Sequence, residues 1–227
     1  MLFSTGGYTP PAPSLAARDV ALSSTEHFSG QLVIDDGQHG RVVVVESHLE
    51  MLWAVYLMSL PSVATIVEQA VFPWVNAKGE VVPKYFDFLV TLHSRRRLAC
   101  EVKPEIHLKS GRVVAELREI TAQMMHPTQD FADKVRLLTE KGLDRISTYN
   151  AEMFMGMRDA DPEVDAAAWE AVRDLRGTAS MADLTRLIGQ GARGFRALVR
   201  LISKRVLCPV SHERISPTTL VALKEAF

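Results

Sequence analysis

The stretch "KYFDFLVTLHSRRRLACEVK", residues 84–103, contains two strand-like runs, each carrying an acidic residue. Aromatic and β-branched residues predict the strands, and the basic segment between them predicts a turn. If the turn is centred on Ser94, Asp87 and Glu101 lie directly opposite each other on adjacent antiparallel strands, with Cβ atoms about 4.5–5.5 Å apart. Lys103 follows Glu101 by two residues, so alternation places it on the same face of the sheet.

A pair of opposed carboxylates predicts a cation between them, because two such charges otherwise repel each other. Mg²⁺ and Mn²⁺ are hard divalent ions that prefer oxygen ligands, so either suits the pair. A nearby lysine can orient a water molecule or stabilise charge on a phosphoryl group, which is the chemistry of phosphodiester cleavage. The same spacing also fits a solvated strand face without a catalytic role, and the hairpin alone leaves both interpretations open.

A third carboxylate lies at the start of a predicted helix that precedes the hairpin in the chain. The segment "ESHLE", residues 46–50, opens this helix, which carries an apolar stripe and ends before Pro61. Ser47 and Glu50 have the spacing of a capping box, in which the glutamate bonds back to the backbone at the helix start. Glu50 is therefore predicted either as a helix cap or as a third ligand of the cation.

The chain as a whole is predicted to form a flexible arm over residues 1–27, an α/β domain over 28–157 and a smaller domain over 158–227. Strands are expected near 30–46, 63–69, 70–75 and 84–103, and at "DRISTY" (144–149). Residues 113–143 are expected to be mainly helical, with a second helix starting at Thr128 or Asp130. After residue 157, three short helices and a hairpin follow in the order of a winged helix-turn-helix module.

Composition is ordinary for a soluble globular protein, at 47% hydrophobic and 23% charged residues. The net charge of −1 excludes a general attraction to nucleic acid, so any such signal must be local. No apolar run is long enough for a membrane span, the first residues lack a signal-peptide pattern, and the two cysteines are far apart. We therefore expect no membrane partner and a reducing, cytoplasmic location.

One local basic cluster lies in the last fifth of the chain, where residues 180–227 contain eight Lys or Arg against three Asp or Glu. Arg193, Arg196, Arg200 and Lys204 recur at helical spacing on the third predicted helix of this region. That helix occupies the position of a recognition helix, so we predict that these four side chains contact DNA phosphates. A solvated basic helix, or a surface for an acidic protein, is the alternative.

Four segments in order resemble a known family: "SHLE" with Glu50, "PSVATIVEQ" with Glu68 and Gln69, "FDFLV" with Asp87, and "CEVKP" with Glu101 and Lys103. Together they resemble the PD-(D/E)xK, or restriction-endonuclease-like, nucleases, and more narrowly the TnsA-like endonuclease subunit of heteromeric transposases. The resemblance covers residues 41–104 well and the rest loosely. Phe86 replaces the proline of the general motif, and Glu101 stands where some transposase subunits have glutamine.

The resemblance implies a restriction-endonuclease-like core with a mixed central sheet flanked by helices, followed by a winged-helix domain. It implies that Glu50, Asp87 and Glu101 bind Mg²⁺ (Mn²⁺ can substitute), that Lys103 is catalytic, and that Gln69 contributes behind the ligands or at a phosphate. The alternative for Gln69 is a polar residue that ends a buried strand without a role in the site. It further implies 5′-strand cleavage of double-stranded DNA at transposon ends, with a DDE-type transposase subunit and an ATP-dependent transposition regulator as partners. A stand-alone restriction or repair nuclease, and a non-catalytic winged-helix adaptor that binds DNA or protein, are the alternatives.

Overall fold

A computed structural model describes residues 10–20, 28–35 and 40–224 of the chain. The described residues form two compact units. The first unit contains the residues up to Ala54 together with Ser62–Gly142, and the second contains Val55–Pro61 and the residues from Leu143 onward. The sequence prediction placed the domain boundary after residue 157, whereas contacts group residues 143–157 with the second unit.

The first unit is built on a mixed β-sheet, which confirms the predicted α/β class. A separate antiparallel hairpin precedes it, formed by β1 (Gly30–Ile34) and β2 (Arg41–Val45). The strands of the sheet, within the described residues, are β3 (Val63–Val75), β4 (Val81–Leu92), β5 (Arg97–Val102) and β6 (Lys134–Leu138), in that order. The first three are antiparallel, and β6 runs parallel to β5.

Two α-helices and two short 3₁₀ segments complete the described part of the first unit. They are α1 (His48–Ser59), whose residues from Val55 onward are grouped with the second unit, the 3₁₀ segment Glu105–Leu108, α2 (Arg112–Met124) and the 3₁₀ segment Glu140–Gly142. The apolar face of α2, formed by Leu117, Ile120 and Met124, packs against buried side chains of the sheet that include Phe72 and Phe86. This packing covers one face of β4 and β5, the two strands of the hairpin predicted within residues 84–103.

Two of the predicted elements are wrong in type. Residues 134–138 form a strand instead of the second half of a helical region, because they pair in parallel with β5; charged Lys134 and Arg136 alternate with apolar residues along this strand. "DRISTY" begins α3 (Arg145–Gly156), because Asp144 is an N-cap whose carboxylate accepts the Ser147 N–H at 2.7 Å. The predicted strands 63–69 and 70–75 are one continuous strand, β3.

Residues 10–20, within the predicted flexible arm, are hydrogen-bonded to the first unit. Ala12 donates its N–H to the carbonyl of Gly40 and accepts from Val42, and Ala17 donates to the carbonyl of Gln69. We call residues 10–20 the N-terminal segment; it is part of the folded unit. The rest of the predicted arm, residues 1–9 and 21–27, lies outside the described residues.

The second unit contains α3, α4 (Pro162–Val172), α5 (Met181–Ile188) and α6 (Ala192–Ser203). Its short strands β7 (Ala179–Ser180), β8 (Leu207–Pro209) and β9 (Leu220–Leu223) form an antiparallel sheet in the order β7-β9-β8. Its core is apolar and includes Val172, Met181, Leu184, Leu198, Leu207 and Val221. The three helices predicted after residue 157, and the strands that follow them, are confirmed. Among the described helices, none has the length and apolar character needed to cross a bilayer.

Candidate active site

The register of β4 and β5 brings Asp87 and Glu101 together. Phe88 pairs with Cys100, and the next step along the antiparallel ladder places Asp87 opposite Glu101, which confirms the predicted register. The two residues are only 6% and 3% exposed, so this is not a solvated strand face. The turn that sets the register is tight, because Leu92 donates to the carbonyl of Arg96 and Arg95 adopts a left-handed φ of 67°.

Asp87 is held rigidly and lies in a crowded negative environment. Its Oδ2 accepts the backbone N–H of Val102 at 2.6 Å, which ties the carboxylate to the neighbouring strand. Burial, followed by the charges of Glu101 and Glu50, raises the pKa of Asp87 to about 7, against the lowering effect of Lys103. Three carboxylates from α1, β4 and β5 therefore influence one another, as a shared cation site requires.

One carboxylate oxygen of Glu101 contacts two ammonium groups, and the other has no hydrogen-bond partner among the described residues. Its Oε1 lies 3.0 Å from Nζ of Lys84 and 3.3 Å from Nζ of Lys103. Its Oε2 is buried and has no hydrogen-bond partner among the described residues. A buried carboxylate oxygen without a partner is costly unless a ligand or cation completes it, so this oxygen is the strongest sign of an intended ligand.

Glu50 is a helix cap, as one of the two predictions for it states, with a different backbone donor. Its Oε2 accepts the N–H of Glu46 at 2.8 Å, its Oε1 accepts the Ser47 hydroxyl at 2.9 Å, and the Ser47 oxygen accepts the Glu50 N–H. Burial raises the pKa of Glu50, and Lys103 lowers it. Because each carboxylate oxygen has two lone pairs, the cap leaves acceptor capacity facing the cluster.

Lys103 is the cation of this cluster that the sequence predicted. Burial lowers the pKa of Lys103, but Asp87, Glu101 and Glu50 together raise it above its ordinary value, so the ammonium is charged at neutral pH. Its backbone N–H donates to the carbonyl of Leu138, which anchors the end of β5 to β6. The side chain is 37% exposed, and its ammonium is therefore open to a ligand from solvent.

The donor set fits a hard divalent cation in chemistry, with carboxylate oxygens of Glu50, Asp87 and Glu101 and the unpartnered Oε2. Across residues 10–20, 28–35 and 40–224, no three His, Cys, Asp or Glu side chains are already arranged to hold a metal ion. The three carboxylates are therefore of the right chemical type for a divalent cation and lie near one another, but their oxygens are not already placed in a coordination geometry.

Gln69 lies beside this cluster on β3, the strand that pairs with β4. The register pairs Glu68 with Phe88 and Ala70 with Phe86, which places Gln69 opposite Asp87. Gln69 is 1% exposed and has a φ of 47°, a conformation that residues other than glycine rarely adopt and that often marks functional sites. Its Oε1 accepts from Nε of Arg18 at 3.0 Å, and its Nε2 has no partner among the described residues.

Sequence reasoning missed two cations near the site. Lys84 lies within the opening stretch, three residues before Asp87, but strand alternation does not place it beside Glu101. Arg18, in the N-terminal segment, bonds Gln69, forms an ion pair with Glu46 and lies over the Tyr85 ring at 5.3 Å. A segment rich in Pro and Ala offered no signal for this role.

The predicted DNA-binding set on α6 needs a correction. Arg200 is buried and bonds the carboxylate of Asp165 at 2.6 and 2.8 Å and the carbonyl of Met157 at 3.1 Å, so it stabilises the second unit and is not free for phosphate. Arg193 is engaged by Asp161 and Glu163, which a phosphate would have to displace. Of the same predicted set, Arg196 and Lys204 are exposed and form no ion pair within the described residues.

In comparisons with known proteins, neither a protein-family model nor a curated protein matches this chain. The function is therefore argued from the residues and their geometry.

Proposed function

We propose that this chain is a Mg²⁺-dependent DNA endonuclease of the PD-(D/E)xK type, with a restriction-endonuclease-like first unit and a winged-helix second unit. The observation that carries the proposal is the alignment of Asp87 with Glu101 across two buried strands, next to the charged Lys103 and the helix-borne Glu50. Buried, mutually repelling carboxylates with a lysine are an expensive arrangement for a protein without a ligand to bind.

In this mechanism different residues of the chain have different roles in phosphodiester hydrolysis. Asp87, Glu101 and Glu50 would hold the cation, which would lower the pKa of a water molecule and shield charge on the phosphate. The Val102 N–H keeps Asp87 oriented, and the Ser47 cap orients Glu50. Lys103 places a positive charge beside the attacked phosphate, where it orients the incoming water and stabilises developing negative charge.

We place this activity within a heteromeric transposase, where the chain cuts the 5′ strands at transposon ends beside a DDE-type transposase and an ATP-dependent regulator. The support is the ordered set of motifs from Glu50 to Lys103 together with the three helices and small sheet of the second unit. Cutting that appears only with a transposase partner would favour this role over a stand-alone nuclease.

Replacing Lys103 with alanine is expected to reduce DNA cleavage by about 10²-fold or more, because transition-state charge loses its stabilising cation. Cation binding should persist or become tighter, since Lys103 is not a ligand and its positive charge lies 3.3 Å from Oε1 of Glu101. Cleavage of supercoiled plasmid in Mg²⁺ and in Mn²⁺, with the chain alone and with a DDE-type transposase, measures the effect. Lys78→Ala, at an exposed turn lysine, is the matched control. Cleavage by Lys103→Ala at the wild-type rate would contradict the assigned role.

DNA binding by the second unit is expected to depend on Arg196 and Lys204 and not on Arg200. The double variant Arg196→Ala/Lys204→Ala should lower the logarithmic salt slope of duplex binding by about 2, since roughly one counterion is released per phosphate contact. Fluorescence anisotropy at several salt concentrations measures the slope, with Arg173→Ala/Arg176→Ala as the charge-matched control. An unchanged slope would remove α6 as a DNA contact.

A further inference from the structure

Lys84 is a second ammonium group inside the acidic cluster. Its Nζ lies 3.0 Å from Oε1 of Glu101, the same oxygen that Lys103 contacts at 3.3 Å. The Lys84 side chain is 15% exposed, so it is largely withdrawn from water. Glu101 thus carries two ammonium groups on one oxygen, while its other oxygen is buried without a partner among the described residues.

Lys84 has a second carboxylate within ion-pair distance, outside the acidic cluster. Its Nζ is 3.7 Å from Oε1 of Glu116 on α2, whose side chain is 52% exposed. The ammonium of Lys84 also lies over the ring of the neighbouring Phe86, 5.8 Å from its centroid. Because Nζ already lies within ion-pair distance of both carboxylates, only a small rotation about the last side-chain bonds is needed to shift the ammonium from the buried acceptor to the exposed one.

A divalent cation bound at Glu101 would repel an ammonium group held on the same carboxylate. Because Nζ of Lys84 lies 3.0 Å from this carboxylate, the repulsion would act at short range inside the protein, where the interaction between two charges exceeds the energy of an exposed ion pair. Cation binding therefore favours the position of Lys84 beside Glu116. Lys103, by contrast, has no second ion-pair partner among the described residues and remains in the cluster.

We propose that Lys84 is a resident counterion of Glu101 that transfers to Glu116 when a divalent cation binds, which rests on the proposed function of the acidic cluster. In the cation-free protein Lys84 neutralises a buried carboxylate that would otherwise repel Asp87. In the cation-bound protein Glu116 accepts the displaced charge. Lys84 is thus a positioning residue that changes cation affinity because it competes for Glu101. Glu116 changes that affinity only through its ion pair with Lys84.

The test is calorimetric titration of the metal-free full-length chain with MnCl₂ for wild type, Lys84→Met, Glu116→Gln and the double variant. Lys84→Met is expected to lower Kd by about tenfold, because the competing charge is gone. Glu116→Gln is expected to raise Kd by about two- to fivefold, the range of an exposed ion pair. The double variant should match Lys84→Met, since Glu116 has no role without Lys84. Lys78→Met is the control.

Unchanged or weaker Mn²⁺ binding by Lys84→Met, while wild type binds, overturns this inference and leaves the proposed nuclease intact. A Glu116→Gln effect that persists in the Lys84→Met background also overturns it, because Glu116 would then act on the cation directly. Absence of Mn²⁺ binding in both wild type and Lys84→Met overturns the inference and the metal-dependent function together. Glu116→Gln changes an exposed side chain and keeps the test valid if Lys84→Met fails to fold.

Discussion

Replacing Asp87 with alanine abolishes Mg²⁺ and Mn²⁺ binding and reduces DNA cleavage by about 10³-fold or more: this is the largest effect that we expect on activity. Asp87 is the central carboxylate of the cluster, opposite Glu101 and held by the Val102 N–H. Its removal leaves Glu101 and Glu50 as the two other proposed carboxylate ligands. Calorimetry with each ion, followed by plasmid cleavage, measures both losses.

The same experiment has a pH dependence whose sign follows from the raised pKa. Asp87 in the metal-free protein has a pKa of about 7, so below that pH a cation must displace a proton to bind. Apparent affinity is expected to rise by up to about tenfold per pH unit as pH increases toward 7, and to level off above it. Asp130→Ala, at an exposed acid outside the cluster, should retain wild-type binding. Tight cation binding by Asp87→Ala would show that the site lies elsewhere.

Replacing Arg41 with methionine is expected to lower the free energy of unfolding of the first unit by about 3–5 kcal/mol, the largest effect that we expect on stability. The side chains of Arg41 and Glu68 are 7% and 0% exposed, and they form an ion pair at 2.8 Å. Arg41 also bonds the carbonyl of Ile66. Without Arg41, the Glu68 carboxylate would stay buried and uncompensated, and two buried acceptors would lose their donor.

This ion pair also connects the N-terminal segment to the site. Glu68 accepts from the Ser14 hydroxyl and from the Leu15 N–H, and it directly precedes Gln69. Urea unfolding followed by circular dichroism measures the change. Arg97→Met breaks an ion pair with the exposed Asp130 and should cost about 1 kcal/mol or less. A loss for Arg41→Met no larger than that for Arg97→Met would mean that the buried pair does not stabilise the unit.

The features that sequence reasoning predicted correctly are all local. The turn between residues 92 and 97 sets the register, so the pairing of Asp87 with Glu101 follows from counting residues around it. The cap joins Ser47 and Glu50, which are three positions apart, and the helices α4, α5 and α6 follow from the apolar period of 3.6. In each case the interaction that decides the structure joins residues close together in the chain, so residue type and spacing are sufficient to predict it.

The features that only the tertiary structure decided depend on distant parts of the chain. Residues 134–138 are a strand because they pair in parallel with β5, more than 30 residues earlier. Arg200 looked like a phosphate ligand on the helical face, but Asp165 of α4 buries it.

Lys84 and Arg18 enter the site for the same reason. Lys84 on β4 contacts Glu101 on the neighbouring strand β5, and Arg18 contacts Gln69 from the N-terminal segment. A charged side chain shows its chemistry in the sequence, but whether it meets solvent, a counterion or a ligand depends on which remote carboxylates the fold brings within a few ångströms. For this chain the sequence alone determined the acidic pair and its register, and the packing of distant segments decided which cations accompany it.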